Sequence, residues 1–439
     1  MARVVVVGGG YGGLAAAVRL AKLGHGVTLV ESAPEVGGAL RPVVDEGFSW
    51  DSSAHATLLP AVVRDLFRKS GRPLEREVDL EPLDVIREHR FADGSSVRLP
   101  GGSRAAQVAA FDALGDGLGR QWADHVAAYA DDWEALRKHY FETPWNPAAL
   151  PRALTDRFDS REMLARRLKR SFRDERLRLV AGHPFTAAGH ELRDVPAWAG
   201  LTAYLEQRFG VWRVAGGTGE LAAALARRLA TRRVETLTST TAIDLVVREG
   251  AAVAVSTTAG DLDADVVVCA VDPRRMPALA AYVARTVPAI PPPTVHLGLA
   301  DLPDELTGLP AELVLHGEPT LVVRTLGRAP AGDPAGAAWT VHAYGKLLED
   351  VTVALARHGL DVRDHVVARV DLGAAELVAR WGGSPLGVRW AGRRTVRRRL
   401  GPRTPLPNVY AAGAHATPGA GLPFVGLGAA LVAQVVGPA

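Results

Sequence analysis

Cysteine is nearly absent from this chain, because Cys269 is the single one among 439 residues. That scarcity excludes a disulfide framework, a multi-cysteine metal centre and an iron–sulfur cluster, and it predicts an intracellular, cytoplasmic protein without a metal site. A surplus of charge is missing as well, since 51 Lys and Arg face 48 Asp and Glu. The net charge of +3 is too small to indicate a nucleic-acid partner.

Long uninterrupted apolar runs are also missing. Residues 1–30 are apolar at their centre but contain Arg19, Lys22 and a dense glycine cluster, which favours a strand and a turn over a signal peptide. Residues 404–439 contain no Asp, Glu, Lys or Arg, yet prolines and glycines interrupt them. The uninterrupted apolar part, 424–436, is too short to cross a bilayer as a helix, and it predicts a buried helix instead.

The most specific motif opens the chain. The valines at 4–7 are typical of a buried parallel strand, and they lead directly into Gly8-Gly9-Gly10-Tyr11-Gly12-Gly13. In this GxGxxG motif, Gly8 permits a tight turn and Gly10 lets the backbone approach a pyrophosphate. Gly13 lets the following helix, 14–23, pack on the strand, so that the N-terminus of the helix faces the phosphates.

An acidic residue then indicates which dinucleotide binds. A second strand, 27–30, ends at Glu31, where a carboxylate can bind a ribose hydroxyl and opposes the 2′-phosphate of NADP. Glu35 to Arg41 adds a second glycine pair and a cation for the same pyrophosphate, which favours FAD over NAD. The predicted cofactor-binding residues of this segment are Gly8, Gly10, Tyr11, Gly12, Gly13, Glu31, Ser32, Gly38, Ala39, Leu40 and Arg41.

Further motifs resemble a known family over nearly the whole chain. They are Gly37-Gly38-Ala39-Leu40-Arg41, Gly47-Phe48-Ser49-Trp50-Asp51, Val195-Pro196-Ala197, the segment 211–219, Asn408-Val409-Tyr410-Ala411-Ala412-Gly413-Ala414, and Pro418-Gly419-Ala420-Gly421-Leu422-Pro423. Together they resemble the phytoene desaturase-like branch, which contains carotenoid desaturases and isomerases, of the FAD-dependent amine oxidase superfamily. The C-terminal block is the sharpest match.

The resemblance implies an α/β fold with two domains. One is a discontinuous Rossmann-like FAD-binding domain of the GR2 flavoprotein type, built from 1–72, 212–275 and 395–439. The other is an inserted, mixed α+β substrate-binding domain, built from 73–211 and 276–394. Within the first, 234–247 and 265–270 have the composition of strands, and Cys269 is interpreted as a small buried hydrophobic residue.

The resemblance also implies further contacts with FAD. Ala242 or Ile243 would meet the adenine, whereas Gly413 and Ala414 would lie near the phosphate or the ribityl chain. Gly421, Leu422, Pro423 and Phe424 would lie near the isoalloxazine ring. Backbone amides at the start of helix 424–436 could stabilise negative charge on the reduced flavin.

Two histidines depart from the family pattern. His55 replaces a small hydroxyl residue, and His415 stands in Gly413-Ala414-His415-Ala416-Thr417-Pro418, where the family has Gly-x-Gly-Thr-His-Pro. Both segments are expected near the flavin. Because imidazole titrates near neutrality, one or both rings are candidates for moving a proton during catalysis; the alternative is a structural histidine.

Two segments of the inserted part are predicted to be helices. In 104–140, Trp122, Tyr129 and Trp133 share one face and are interpreted as a core stripe. The segment 161–180 is basic and amphipathic, so it indicates either peripheral contact with an anionic membrane or a solvated face. The arginines at 393–399 are interpreted as a solvated strand or loop.

The resulting prediction is an FAD-dependent oxidoreductase. A hydride would pass from a lipophilic substrate, an isoprenoid, polyene or other natural product, to flavin N5, and loss of a proton would give a double bond. The alternatives are an amine oxidase, a polyene cis/trans isomerase that uses reduced FAD, and a redox-silent carrier of FAD or lipid. The electron acceptor, oxygen or a quinone, and the oligomeric state stay open.

Overall fold

The computed structural model describes residues 1–331 and 335–439; residues 332–334, within the predicted segment 276–394, lie outside the described residues. The helices are α1 Tyr11–Lys22, α2 Pro60–Ser70, α3 Arg104–Leu114, α4 Leu118–Ala127, α5 Ala130–Leu136, α6 Arg152–Phe158, α7 Leu164–Ser171, α8 Glu175–Thr186, α9 Thr202–Phe209, α10 Thr218–Thr231, α11 Pro277–Val283, α12 Asp304–Thr307, α13 Val351–Arg357, α14 Ala374–Arg380, α15 Thr395–Arg398 and α16 Leu422–Val436.

The strands alternate with these helices along the chain. They are β1 Arg3–Val7, β2 Gly26–Val30, β3 Val43–Asp45, β4 Phe48–Trp50, β5 Leu80–Pro82, β6 Val85–Arg90, β7 Ser96–Pro100, β8 Trp212–Val214, β9 Glu235–Leu237, β10 Ala242–Arg248, β11 Ala251–Thr257, β12 Gly260–Asp263, β13 Val266–Cys269, β14 Val287–Pro288, β15 Thr294–Leu299, β16 Glu312–Leu315, β17 Thr320–Gly327, β18 Ala337–Tyr344, β19 Val366–Leu372, β20 Val388–Arg389 and β21 Val409–Ala411.

A five-stranded parallel sheet, in the order β21-β13-β1-β2-β9, forms the first layer. The valine run of β1 lies at its centre, and each of these valines is at most 3% exposed. Helices α1, α10 and α16 cover one face, while α11 and the β10-β11-β12 sheet cover the other. Burial on both faces explains why the strand is a continuous apolar run rather than an alternating one.

Three elements of this layer test the sequence interpretation. The C-terminal apolar segment is the buried helix α16, which packs on α1. Cys269 is fully buried in β13, and burial raises the pKa of its thiol to about 12, as expected of a core residue. The single strand predicted for 234–247 is wrong: β9 and β10 belong to different sheets and are separated by a turn with a positive φ at Ser239.

A seven-stranded sheet, in the order β19-β15-β18-β17-β16-β6-β7, forms the second large layer. One face is apolar: Leu313, Val323 and Trp339 pack against Leu355 of α13. The opposite face, called the front face below, carries polar side chains. It is tied to the first layer because Arg324 Nη1 donates to Ser53 O at 2.9 Å.

The helices α3 to α9 pack around an aromatic core. Trp122, Tyr129 and Trp133 are 1%, 0% and 6% exposed, so the core interpretation of this stripe is confirmed. The single helix predicted for 104–140 is wrong. Gly115 and Gly117 lie outside helical φ and ψ and separate α3 from α4, and a turn of π-helix at Arg137–Phe141 ends the segment.

The basic segment 161–180 is also two helices rather than one, because Phe172 is extended and Asp174 caps α8. Leu164, Leu168 and Phe172, which form its apolar face, are at most 1% exposed and belong to the protein core. That face therefore cannot insert into a lipid surface, and only the basic side faces outward. Within the described residues, no helix is long and apolar enough to cross a bilayer.

The packing extends the first layer beyond the predicted domain boundaries. Leu74 and Val78, which follow residue 72, join the core around α1. Met276, Leu279 and Val283, which follow residue 275, pack against the other face of the parallel sheet. The division into two domains remains a prediction, and these contacts shift two of its boundaries by several residues.

Candidate functional site

The glycine-rich turn after β1 has a geometry that only glycine permits. A Cβ atom on Gly13 would lie 1.8 Å from Gly8 O, and one on Gly12 would lie 2.6 Å from the Cα of Gly413. Both positions hold α1 close to the parallel sheet. A Cβ on Gly10 would meet nothing within 4 Å, so this backbone borders open space at the N-terminus of α1. Such a bare helix N-terminus is suited to a phosphate group.

Glu31 stands at the end of β2 beside that turn. Its Oε2 accepts from the Gly9 N–H at 2.7 Å, and its Oε1 accepts from the Ala33 N–H at 2.7 Å. The Ser32 hydroxyl donates to Oε1 at 3.2 Å. These bonds fix the carboxylate at the rim of the open space, where a ribose hydroxyl can reach it.

The second glycine pair lies against the first. The Gly37 N–H donates to Gly9 O at 2.8 Å, and a Cβ on Gly38 would lie 2.9 Å from Gly10 Cα. The Arg41 guanidinium lies 3.0 Å from the Glu35 carboxylate and its side chain is about one-third exposed. The two segments thus face one space, which agrees with a shared pyrophosphate.

These segments line a single cleft at the carboxyl ends of the parallel strands, with about 1570 Å³ of space including its open mouth. The predicted site residues in its wall are Gly8, Gly10, Tyr11, Gly12, Glu31, Ser32, Gly38, Ala39, Leu40, Arg41, Ala242, Gly413, Ala414, His415, Gly421 and Leu422. Ligands of open parallel sheets bind in this position. The bare Gly10 backbone, the anchored Glu31 carboxylate and the Arg41 cation fit an extended dinucleotide such as FAD.

Other predicted residues lie outside the cleft wall. Of the two residues predicted to meet the adenine, Ala242 lines the cleft together with Thr240 and Thr241, whereas Ile243 is 51% exposed on β10 and lies outside the cleft wall. Pro423 is buried in the first turn of α16. Phe424 packs on Phe141, with 5.5 Å between ring centroids, and so belongs to the helical core. Gly13 lies beneath the wall.

One wall of the cleft comes from a segment that sequence reasoning missed. Residues 379–385, at the C-terminal end of α14 and directly after it, line the cleft together with Val271, Asp272, Arg275 and Met276. The sequence signal that could have indicated this segment is the turn Gly382-Gly383-Ser384-Pro385. It is distant in sequence from every recognised motif, so only the tertiary structure brings it to the cleft.

His415 lies in the cleft wall and is 6% exposed. Its Nε2 is 3.1 Å from Ser384 O, and its Nδ1 is 3.7 Å from the Asp272 carboxylate. Burial lowers the pKa of His415 below its ordinary value, against the opposing effect of Asp272. Burial therefore favours the neutral form of this ring.

His55 follows the cleft residues Ser53 and Ala54 but turns toward the front face. Its Nε2 lies 3.6 Å from Oε2 of Glu312, and burial, aided by Arg324, lowers the pKa of His55 to about 3. It is therefore neutral at neutral pH. The structure thus separates the two candidate histidines: one borders the cleft, and the other joins a buried polar cluster.

That cluster is centred on Glu312 and was not predicted. Its carboxylate lies 3.2 Å from His183 Nε2, 3.2 Å from Arg324 Nε and 3.4 Å from Arg87 Nε, and Arg87 also pairs with Glu206. These partners hold the pKa of Glu312 well below its ordinary value despite burial. Two cations and two anions balance, so the cluster is a neutral, buried polar wall next to the His55 loop.

The geometry can be compared with known proteins. The family model described as flavin containing amine oxidoreductase matches residues 11–297, well over half of the chain. The chain belongs to this family. It is an FAD-dependent oxidoreductase, as predicted, and the cleft between β1, β2 and α16 is the place where its residues fit the cofactor.

Relatives of this flavin-containing oxidoreductase extend over its full length. It is 27% identical to 4,4′-diapolycopene oxygenase of Methylomonas sp., over 98% of this chain and 97% of the other. It is 29% identical to hydroxyneurosporene desaturase of Cereibacter sphaeroides, over 99% and 97%. The resemblance to the carotenoid desaturase branch is confirmed.

Solved structures confirm the predicted fold of this oxidoreductase. A putrescine oxidase variant superposes with a TM-score of 0.72 at 16% identity, covering 99% of this chain and 97% of the other. Cyclohexylamine oxidase from Brevibacterium oxydans gives 0.68 at 16% identity, with 99% of both chains covered. At this identity the likeness concerns the fold alone.

The buried histidines predict how stability depends on pH. Burial lowers the pKa to about 3 for His55 and to about 4 for His125, His190, His296 and His316. In the unfolded chain the same rings bind protons below about pH 6.5. Between pH 6.5 and 4 the unfolded state therefore binds more protons than the folded state. As the pH is lowered through this range, the free energy of unfolding should fall by about 1.4 kcal/mol for each ring and each pH unit.

Urea unfolding at half-unit steps from pH 7.5 to 5 measures this slope. His125→Gln removes one such ring from the helical core, away from the cleft, and should give a shallower slope than the unchanged protein. A free energy of unfolding that stays constant from pH 6.5 to 5 would show that these rings are not held neutral.

Proposed function

We propose that this oxidoreductase desaturates a lipophilic, isoprenoid polyene. The observation that carries the proposal is the pair of carotenoid-modifying relatives that match almost the whole chain. The match includes the inserted part, where a substrate would bind, and not only the cofactor-binding segments. The cleft supports the proposal because one end opens toward the loop 53–55, which lies against the front face.

Residues of this chain would bind and orient the cofactor as follows. The turn at Gly8 to Gly12 and the Gly38 segment receive the pyrophosphate, and Glu31 receives the ribose. The N-terminus of α16, at Gly421 and Leu422, borders the cleft and supplies backbone N–H groups that favour negative charge there. Bound FAD supplies a two-electron acceptor for a hydride from a substrate carbon.

The remaining step is the loss of a proton from the neighbouring carbon, which completes the double bond. Removal of a hydride leaves positive charge on the substrate, and the adjacent C–H is then so acidic that a weak base suffices. The imidazole of His55, whose pKa burial lowers to about 3, is unprotonated at neutral pH and can accept the proton. We assign this role to His55, which directly follows the cleft residues Ser53 and Ala54 and has Glu312 3.6 Å from its Nε2 to stabilise the charged ring.

Anaerobic substrate screening tests the proposal. Phytoene dispersed in liposomes should abolish the visible absorbance of oxidised flavin and give a product with one more double bond. Reduction by primary amines, with hydrogen peroxide formed in air, would instead indicate an amine oxidase. A change of polyene geometry without desaturation would indicate the isomerase, and a flavin that no substrate reduces would indicate the carrier.

The histidine assignment gives a separate prediction. His55→Gln should lower the rate of anaerobic flavin reduction about 100-fold, because general-base catalysis contributes roughly that factor, with little change in FAD affinity. His415→Gln should have a smaller effect on the rate. The control His358→Gln alters a histidine beside Gly317, outside the cleft, and should leave the rate unchanged. An unchanged rate and pH profile in His55→Gln would remove His55 from the mechanism.

Peripheral membrane contact is proposed only in electrostatic form. The apolar side of α7 is buried, so attraction would come from outward basic residues such as Arg161 and Arg170. Co-sedimentation with vesicles that contain anionic lipid, lost on raising the salt concentration, tests it. Binding that persists at high salt would contradict a purely electrostatic contact.

A further inference from the structure

A second cavity of about 320 Å³ lies between the helices α7 and α8 and the front face of the seven-stranded sheet. Its walls are mainly aliphatic. The apolar lining consists of Ala165, Leu168, Leu179, Gly182, Ala187, Leu192 and Val322. Leu179 is 37% exposed and lies at the mouth, whereas Leu168 and Val322 are buried inside. A cavity of this size accommodates a small organic ligand.

The polar groups in the wall already have partners. The Tyr344 hydroxyl donates to Ala187 O at 2.9 Å, and the Thr320 hydroxyl donates to Gly317 O at 3.1 Å. His183 faces Glu312 at 3.2 Å, and His316 Nε2 lies 2.8 Å from a nitrogen of His89. Because these groups are engaged elsewhere, the interior suits an apolar chain rather than a polar ligand.

Charged side chains, in contrast, lie at the rim of the cavity. Lys169, Arg178 and Glu175 surround the mouth. The neighbouring guanidinium groups of Arg167, Arg170 and Arg176 are paired with Glu162 or Asp174. By contrast, over residues 1–331 and 335–439, Lys169 and Arg178 have no carboxylate oxygen within 4 Å; Arg178 donates only to backbone carbonyls.

We propose that this cavity binds a single-chain amphiphile with an anionic end. The chain would occupy the aliphatic interior, and a carboxylate or phosphate monoester would be held at the mouth by Lys169 and Arg178. The Glu312 cluster separates this cavity from the cofactor cleft, because His183 in its wall and His55 beside the cleft contact the two oxygens of that carboxylate. The site is independent of the polyene desaturation proposed above.

Binding to the FAD-loaded protein tests the proposal. Dodecanoate, dodecyl phosphate, dodecanol and dodecyltrimethylammonium are titrated calorimetrically below their micelle concentrations. At least one of the two anions should bind ten or more times as tightly as dodecanol and the cation. Which anion binds more tightly identifies the carboxylate or the phosphate as the natural end group.

Three variants locate the binding. Ala187→Trp fills the cavity while keeping the carbonyl that Tyr344 uses, and it should weaken anion binding at least tenfold. The double variant Lys169→Glu/Arg178→Glu should weaken the anions about tenfold and leave dodecanol unchanged. Its matched control, Arg166→Glu/Arg173→Glu, makes the same change of net charge at exposed residues outside the cavity and should bind like the unchanged protein.

Retained FAD absorbance and an unchanged melting temperature show that each variant is folded. Equal affinity for all four amphiphiles would overturn the proposal, as would unchanged binding in folded Ala187→Trp. An equal loss in the rim variant and its control would show that only overall charge matters, and would overturn it too. None of these outcomes depends on polyene turnover, so the desaturase proposal and this one can fail separately.

Discussion

Replacing Gly10 by alanine should weaken FAD binding at least 100-fold, about 2.7 kcal/mol, while the apoprotein folds normally. The added methyl group meets no protein atom within 4 Å, and the φ of −71° at this residue suits alanine. It would instead occupy the open space where the backbone must approach the pyrophosphate. Titration of the apoprotein with FAD, followed by flavin fluorescence, measures the effect.

Two further glycine variants separate binding from folding. Gly308→Ala adds a methyl group that also meets no atom, far from the cleft wall, and FAD affinity should stay unchanged. Gly13→Ala should instead destabilise the apoprotein, because its Cβ would lie 1.8 Å from Gly8 O. If Gly10→Ala binds FAD as tightly as the unchanged protein, the pyrophosphate does not lie against this turn.

Replacing Glu312 by glutamine should lower the free energy of unfolding by about 3–5 kcal/mol. The substitution keeps the size of the side chain but removes the charge that Arg87, Arg324 and His183 face. Arg87 then keeps the carboxylate of Glu206, whereas Arg324 loses the carboxylate that it faces. Urea unfolding at neutral pH measures the loss, and a low temperature keeps the variant within the measurable range.

The control is an exposed ion pair of the same kind. Asp156 lies 4.0 Å from Arg152, with both side chains largely exposed, so Asp156→Asn should have no measurable effect on unfolding. A loss below about 1 kcal/mol in Glu312→Gln would place Glu312 among such surface pairs. In that case the Glu312 cluster would not stabilise the packing of the His55 loop against the sheet.

The cofactor cleft was largely predictable because most of the residues that could bind the cofactor lie in short, continuous sequence motifs. The turn at 8–13, the acid Glu31 and the pair Gly37-Gly38 each need particular residue types at fixed spacings. The parallel sheet then brings their strand ends to one edge. Ile243 shows the limit: in an extended strand, a shift of one residue moves the side chain to the other side, and Ala242 faces the cleft instead.

The Glu312 cluster could not be predicted, since its members come from β6, α8, α9, β16 and β17. No spacing in the sequence relates Arg87 to Glu206 or Glu312 to His183. The same pairing also explains the error about the histidines. A ring near neutrality was expected from imidazole itself, whereas burial beside Arg324 lowers the pKa of His55 to about 3.

The helix predictions failed where single residues interrupt a long periodic pattern. Apolar spacing continues through 104–140, yet Gly115 and Gly117 break the backbone between α3 and α4. In 161–180 the apolar stripe that suggested peripheral membrane contact is the part buried against the aromatic core. An amphipathic pattern indicates that a face is covered but not by what, and here the protein itself covers it.

The stoichiometry of one anaerobic turnover tests the proposed desaturation most directly. The FAD-loaded protein is mixed with excess phytoene in liposomes, and reduced flavin and new double bonds are counted in the same sample. We expect one double bond to form for each flavin reduced. Polyene isomerised without flavin reduction, or flavin that stays oxidised with every polyene while an amine reduces it, would contradict the proposed desaturation.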